Sequence, residues 1–153
     1  MISLRIASED ELGELTSLIH DEHFDLEDVR HDAMERLVEI PYRRIGHDGA
    51  RRTLRNWFLY RLDEVDVIRA ILRIHNVERC EVHDRSRIGT YSFNHARYNA
   101  GKSKLLFRCN ENLDFEMTVS DLLVESNDLE VRGTARVSLT FGVIGGFSSK
   151  IYD

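Results

Sequence analysis

The chain has one proline, two cysteines, three lysines and no long apolar run among its 153 residues. Each scarcity excludes something. A membrane helix needs about 20 consecutive apolar residues, and the mean hydropathy of −0.37 comes with nothing close to that. Cys80 and Cys109 lie far apart in strand-like runs and form no C-x-x-C pair, so the chain carries neither a disulfide framework nor a cysteine zinc motif. Low proline and the absence of a Gly/Ser tract leave no linker. Residues 1–153 therefore read as a single domain. Met1 to Ile6 runs directly into Ser8-Glu9-Asp10-Glu11, where an export signal would carry bases and then an apolar stretch. The expectation is a soluble, cytoplasmic chain with no membrane contact.

Arginine, by contrast, is abundant at 18 residues, and charge is unevenly placed within the net −6. Residues 1–40 hold three Arg against twelve acids, or −9; residues 41–61 hold six Arg against Asp48, or +5. Broad nucleic-acid binding needs cations clustered over one surface, and an acidic chain with one basic segment disfavours it. Charge segregation instead suggests a protein partner or self-association, unless the two segments neutralise each other within one chain.

Ser8 followed by Glu11 is a capping box, and Leu12, Leu15, Leu18 and Ile19 then form an apolar stripe at helical spacing. This predicts a helix from Ser8 to about His20. Beyond it, period-two patterns take over. They predict a hairpin of Phe24 to Arg30 and Arg36 to Tyr42 around His31-Asp32-Ala33-Met34, with Pro41 at an edge or strand end. Further strands are expected over 67–77, 79–83, 90–98, 105–109, 115–119, 122–125 and 129–139, while the apolar spacing over 53–62 suits either a helix or a strand, with strand preferred. Polar turns stand between them, including Asp84-Arg85-Ser86-Arg87 and Ser126-Asn127-Asp128. Gly142, Gly145 and Gly146 suggest a bent last strand and a loose tail. The expected class is α+β: one N-terminal helix packed on a curled, mainly antiparallel sheet or partly open barrel.

Four of seven histidines precede aspartate: His20, His31, His47 and His83. Neighbours on a strand point to opposite faces, so adjacency alone orients no imidazole. His20-Asp21-Glu22-His23 has zinc-like spacing on a helix but no certain third ligand, and H-E-x-x-H is absent. Gly101-Lys102-Ser103 lacks the first glycine of a phosphate loop, since position 96 is alanine. No G-x-S-x-G elbow occurs. The reading is no metal, no cofactor and no enzyme.

Two family resemblances add alternatives. Arg51-Arg52-Thr53-Leu54-Arg55 followed by Asp84-Arg85-Ser86-Arg87-Ile88-Gly89 resembles PilZ domains, whose R-x-x-x-R loop precedes D/N-x-S-x-x-G by about thirty residues. The resemblance implies a small β-barrel binding cyclic diguanylate, with Arg51, Arg55, Asp84, Ser86 and Gly89 as ligand-binding residues. Arg forks would grip phosphate and guanine edges. Arg85 departs from the family's apolar residue. The opening Met1-Ile2-Ser3-Leu4-Arg5-Ile6-Ala7 and Arg43-Arg44-Ile45-Gly46-His47-Asp48 resemble the acyl-coenzyme A acetyltransferases and their Q/R-x-x-G-x-G/A loop. Asp48 stands where that loop needs a small residue and would repel pyrophosphate. The leading expectation is a non-catalytic binding or self-associating module, then a cyclic-dinucleotide module, then an acetyltransferase-like enzyme.

Overall fold

The computed structural model describes residues 1–46, 52–57, 60–141 and 147–152. Strand β1 is Ser3–Ile6, and α1 is Leu12–Ile19 behind a 3-10 turn at Glu9–Glu11. Then come β2 His23–Asp25, β3 Arg30–Asp32, β4 Leu37–Ile45, β5 Arg52–Trp57, β6 Tyr60–Ile74, β7 Val77–Asp84, β8 Thr90–Asn99, β9 Lys104–Cys109, β10 Leu113–Val119, β11 Val124–Phe141 and β12 Phe147–Tyr152. No helix among the described residues is long and apolar enough to cross a membrane. The expected α+β composition is present, although the helical share is small. Contacts group the chain into two compact units: 1–43 with 70–129, and 44–69 with 130–153.

In the first unit the strand order is β1-β11-β6-β4-β2-β8-β9-β10-β7. Among the described residues, β1 pairs only with β11 and β7 only with β10. Period-two burial makes the core: Leu105, Phe107 and Cys109 of β9 and Leu113, Phe115, Met117 and Val119 of β10 all point inward. The helix adds Leu12, Leu15 and Ile19 to the same cluster. Its entry is held as expected, the Glu11 carboxylate accepting the Ala7 and Ser8 amides at 2.8 and 3.1 Å. It ends at Ile19 because His20 leaves helical geometry and Asp21 takes a positive φ of 62°.

Three sequence expectations change. The hairpin arms are β3 and β4, paired Arg30↔Glu39 to Asp32↔Leu37, because a 3-10 turn at Leu26–Asp28 breaks the proposed first arm. Its front half, β2, instead pairs with β8, where the Thr90 hydroxyl donates to Asp25 at 2.6 Å. Pro41 lies inside β4, not at its end. It falls between the Glu39 pairing to β3 and the Arg43 pairing to β2 on one side, and β6 lies on the other, so β4 is not an edge strand either. Ser126-Asn127-Asp128 is extended within β11, not a turn. Ser126 is buried and shares a 2.7 Å hydrogen bond with the Tyr42 hydroxyl, Asn127 accepts from Ser3, and Asp128 accepts the Ile2 amide. Long-range partners thus replace the local bonds that such residues otherwise make to their own turn.

The second unit contains β5 paired with the start of β6, so the ambiguous 53–62 region is strand wherever it is described. It buries Val65, Ile68 and Ala135. Asp63 is also buried and accepts the Arg61 Nε at 2.8 Å, which satisfies its charge. A Cβ at Gly46 would come 3.0 Å from the Ile68 Cδ1, so a larger residue there would have to push that side chain aside by a few tenths of an ångström. In place of the expected loose tail, Phe147–Tyr152 forms a strand paired with β11, whereas Gly142, Gly145 and Gly146 lie outside the described residues.

Candidate functional site

The Asp84, Ser86 and Gly89 candidates share the turn joining β7 to β8, where each has a structural task. The Asp84 carboxylate accepts the buried Tyr91 hydroxyl and, at 2.9 Å, the Arg87 amide. The Ser86 hydroxyl donates to the Glu111 carbonyl. Gly89 takes φ 91°, a conformation that favours glycine, and its carbonyl receives the Leu26 amide at 2.8 Å. The D-x-S-x-x-G spacing therefore closes a turn and fastens it to neighbouring segments. Arg55 pairs through its backbone with Leu62 in the other unit. The Arg55 side chain and all of Arg51 lie outside the described residues, as do His47 and Asp48.

The Tyr91 hydroxyl, followed by the Arg87 amide, holds the Asp84 carboxyl below the usual aspartate range. A depressed folded-state value means that the charged form stabilises the turn above the unfolded-state pKa, and that this contribution fades as pH falls through the folded-state value. Asp84→Asn should thus be less stable than wild type at neutral pH, with the gap closing on acidification below about pH 4. Urea midpoints across a pH series measure this. A gap that does not change with pH would show that the carboxylate charge plays no part.

The His-Asp pairs resolve differently. His20 Nδ1 is 2.9 Å from the Asn94 carbonyl at the helix end, while His23 stands in β2, so this pair does not share a helix face. Asp32 accepts the Met34 and Glu35 amides and closes the β3–β4 hairpin. A cleft of about 460 Å³ opens beside it, lined by Arg30, His31, Met34, Leu37 and Glu39 among others.

Part of the segregated charge is neutralised locally. Arg43 of the basic stretch meets Asp25 of the acidic one at 3.5 Å, and Arg61 pairs with Asp63. Arg73 and Glu39 pair at 2.8 Å.

A more concentrated polar surface lies on the outer face of the β7-β10-β9-β8 strip. Register sets His83 opposite Asp114, Asp114 opposite Arg108, and Arg108 opposite His95. Glu81 stands opposite Glu116, and Arg79 opposite Thr118. Arg79 pairs with Glu81, and Lys104 with Glu116 at 3.1 Å. Desolvation, reinforced by Arg97 and Arg108, pushes the His95 pKa down, and its Nε2 is buried without a hydrogen-bond partner among the described residues. One donor atom each from Glu81, His83 and Glu116 lies within 4.8 Å of the others. Sequence reasoning missed this group, because only Glu81 and His83 share a strand. Compared with known proteins, the chain matches no family model, no curated protein and no solved structure.

Proposed function

We propose that the chain is a non-catalytic, self-associating module that pairs with a second copy along β7. The observation that carries this reading is the eight-residue edge itself: no described strand pairs along its other side. Among the described residues the edge is engaged only near its start, where the Val77 amide donates to the Arg36 carbonyl at 2.9 Å. Val82 within it is 45% exposed. Exposed edges of this length ordinarily recruit another strand unless charge blunts them. Here the charges are of both signs, so the edge complements itself. Two antiparallel copies centred on Cys80 set Arg79 of each opposite Glu81 of the other, and opposite charges across strands stabilise pairing.

Light scattering at rising concentration and two salt levels tests this. The expected result is a dimer that weakens with salt, is lost in Arg79→Glu, and returns in the charge swap Arg79→Glu with Glu81→Arg. A wild-type chain that stays monomeric at low salt, or a dimer indifferent to Arg79→Glu, would overturn it. The cyclic-dinucleotide alternative draws less support, because Asp84 and Ser86 already spend their side chains on the turn. Cyclic diguanylate should leave the thermal midpoint unmoved; a specific ligand at a hundredfold over its Kd would add about 2.7 kcal/mol and favour that alternative instead.

A further inference from the structure

We infer that Glu81, His83 and Glu116 form a binding site for a divalent transition-metal ion, with zinc as the best-matched ion. The site needs no edge pairing, since its three side chains stand on the sheet face of a single chain. Glu81 and His83 are two residues apart on β7 and therefore project to the same side. Glu116 of β10 is the register partner of Glu81 and joins them there. Their donor atoms already lie within 4.8 Å of one another. Zinc bonds of about 2.0–2.2 Å to imidazole nitrogen and carboxylate oxygen set tetrahedral donors about 3.4 Å apart, so rotation of these side chains must draw the donors in by up to about 1.4 Å.

Two features of the group itself favour an ion over an ordinary acidic patch. The first is the imidazole: calcium and magnesium take oxygen donors, whereas a histidine among carboxylates suits zinc and its neighbours. The second is the juxtaposition of Glu81 and Glu116, since like charges directly across two strands destabilise a sheet unless a cation lies between or beside them. Arg79, which is exposed, and Lys104, which is half-buried, supply part of that compensation from long side chains. An ion would replace them at the centre of the group and release them to solvent. Asp114 is the register partner of His83, and its carboxylate lies 4.0 Å from the Arg108 Nε. Three protein ligands leave a coordination position open for water or for a donor from a bound molecule.

Calorimetric titration of the full chain with zinc chloride after chelator treatment tests the inference, with cobalt absorption as a second readout. Wild type should take up one ion per chain. His83→Ala and Glu116→Gln should each weaken uptake by about tenfold or more, whereas His31→Ala and Cys80→Ser should leave it unchanged. Arg79→Ala should bind at least as tightly as wild type, because a competing cation is gone. The inference fails if wild type binds no zinc, if uptake survives both His83→Ala and Glu116→Gln, or if Cys80→Ser abolishes it. It also fails if calcium binds as tightly and ignores His83→Ala, which would mark a plain acidic patch.

Discussion

Replacing Phe93 by alanine should lower the unfolding free energy by about 4 kcal/mol, the range for deleting a fully buried aromatic side chain. Phe93 has no solvent exposure and lies 4.6 Å, centroid to centroid, from Phe24. Tyr42 meets it edge-on at 5.7 Å and Phe107 at 6.4 Å. The same residue joins helix end to sheet through its backbone: its amide donates to the Glu22 carbonyl at 3.0 Å, and its carbonyl receives the Asp21 amide at 2.8 Å. A cavity here would thus loosen the seam between α1 and β8 as well as the aromatic cluster. With total stabilities of about 5–15 kcal/mol for domains of this kind, the variant should retain little reserve. Phe93→Leu should restore much of the loss by refilling the volume. Urea denaturation at neutral pH measures both; a loss below about 1 kcal/mol for alanine would mean that the ring is not packed as described.

The second large effect concerns Cys109. Burial, with Asp114 as a lesser contributor, pushes its thiol from 9.0 up to about 12. Since only the thiolate attacks disulfide reagents, that shift leaves about a thousandfold less reactive form at pH 8. In a Cys80→Ser background, Cys109 should therefore react with an aromatic disulfide only as fast as the protein opens, and at once in urea. Rapid stoichiometric reaction of the native protein would contradict the burial. Cys80 is half-buried and also raised by desolvation, so its reaction should be slowed in the same direction. Both cysteines are free thiols that belong to strands, as the strand-like runs around them in sequence suggested.

How far local pattern could be read depends on where each residue finds its partners. The helix was legible because Glu11 reaches amides three and four positions back, and Leu12, Leu15 and Ile19 meet one surface at helical spacing. Strands β9 and β10 were legible because period-two burial follows from the pleat itself. The Asp84-Ser86-Gly89 segment was readable as a turn. That Tyr91 and the Glu111 carbonyl would occupy its polar groups was not, because neither contact is local. Ser126-Asn127-Asp128 carries turn chemistry that β1 and Tyr42 convert to strand. Glu81 and His83 offered a faint signal at spacing two, but Glu116 joins them only through sheet register.

The amino-acid order alone determined period, polarity and capping, and hence one short helix followed by antiparallel strands, since these depend on dihedral preferences and on side chains within a few residues. Strand partners, the extended run through Ser126, the place of Pro41 between two pairings and the gathering of Glu81, His83 and Glu116 were decided only by the tertiary structure. The reason is that register is settled by which apolar faces close over a shared core, and a polar residue takes whichever hydrogen-bond partner that closure brings to it.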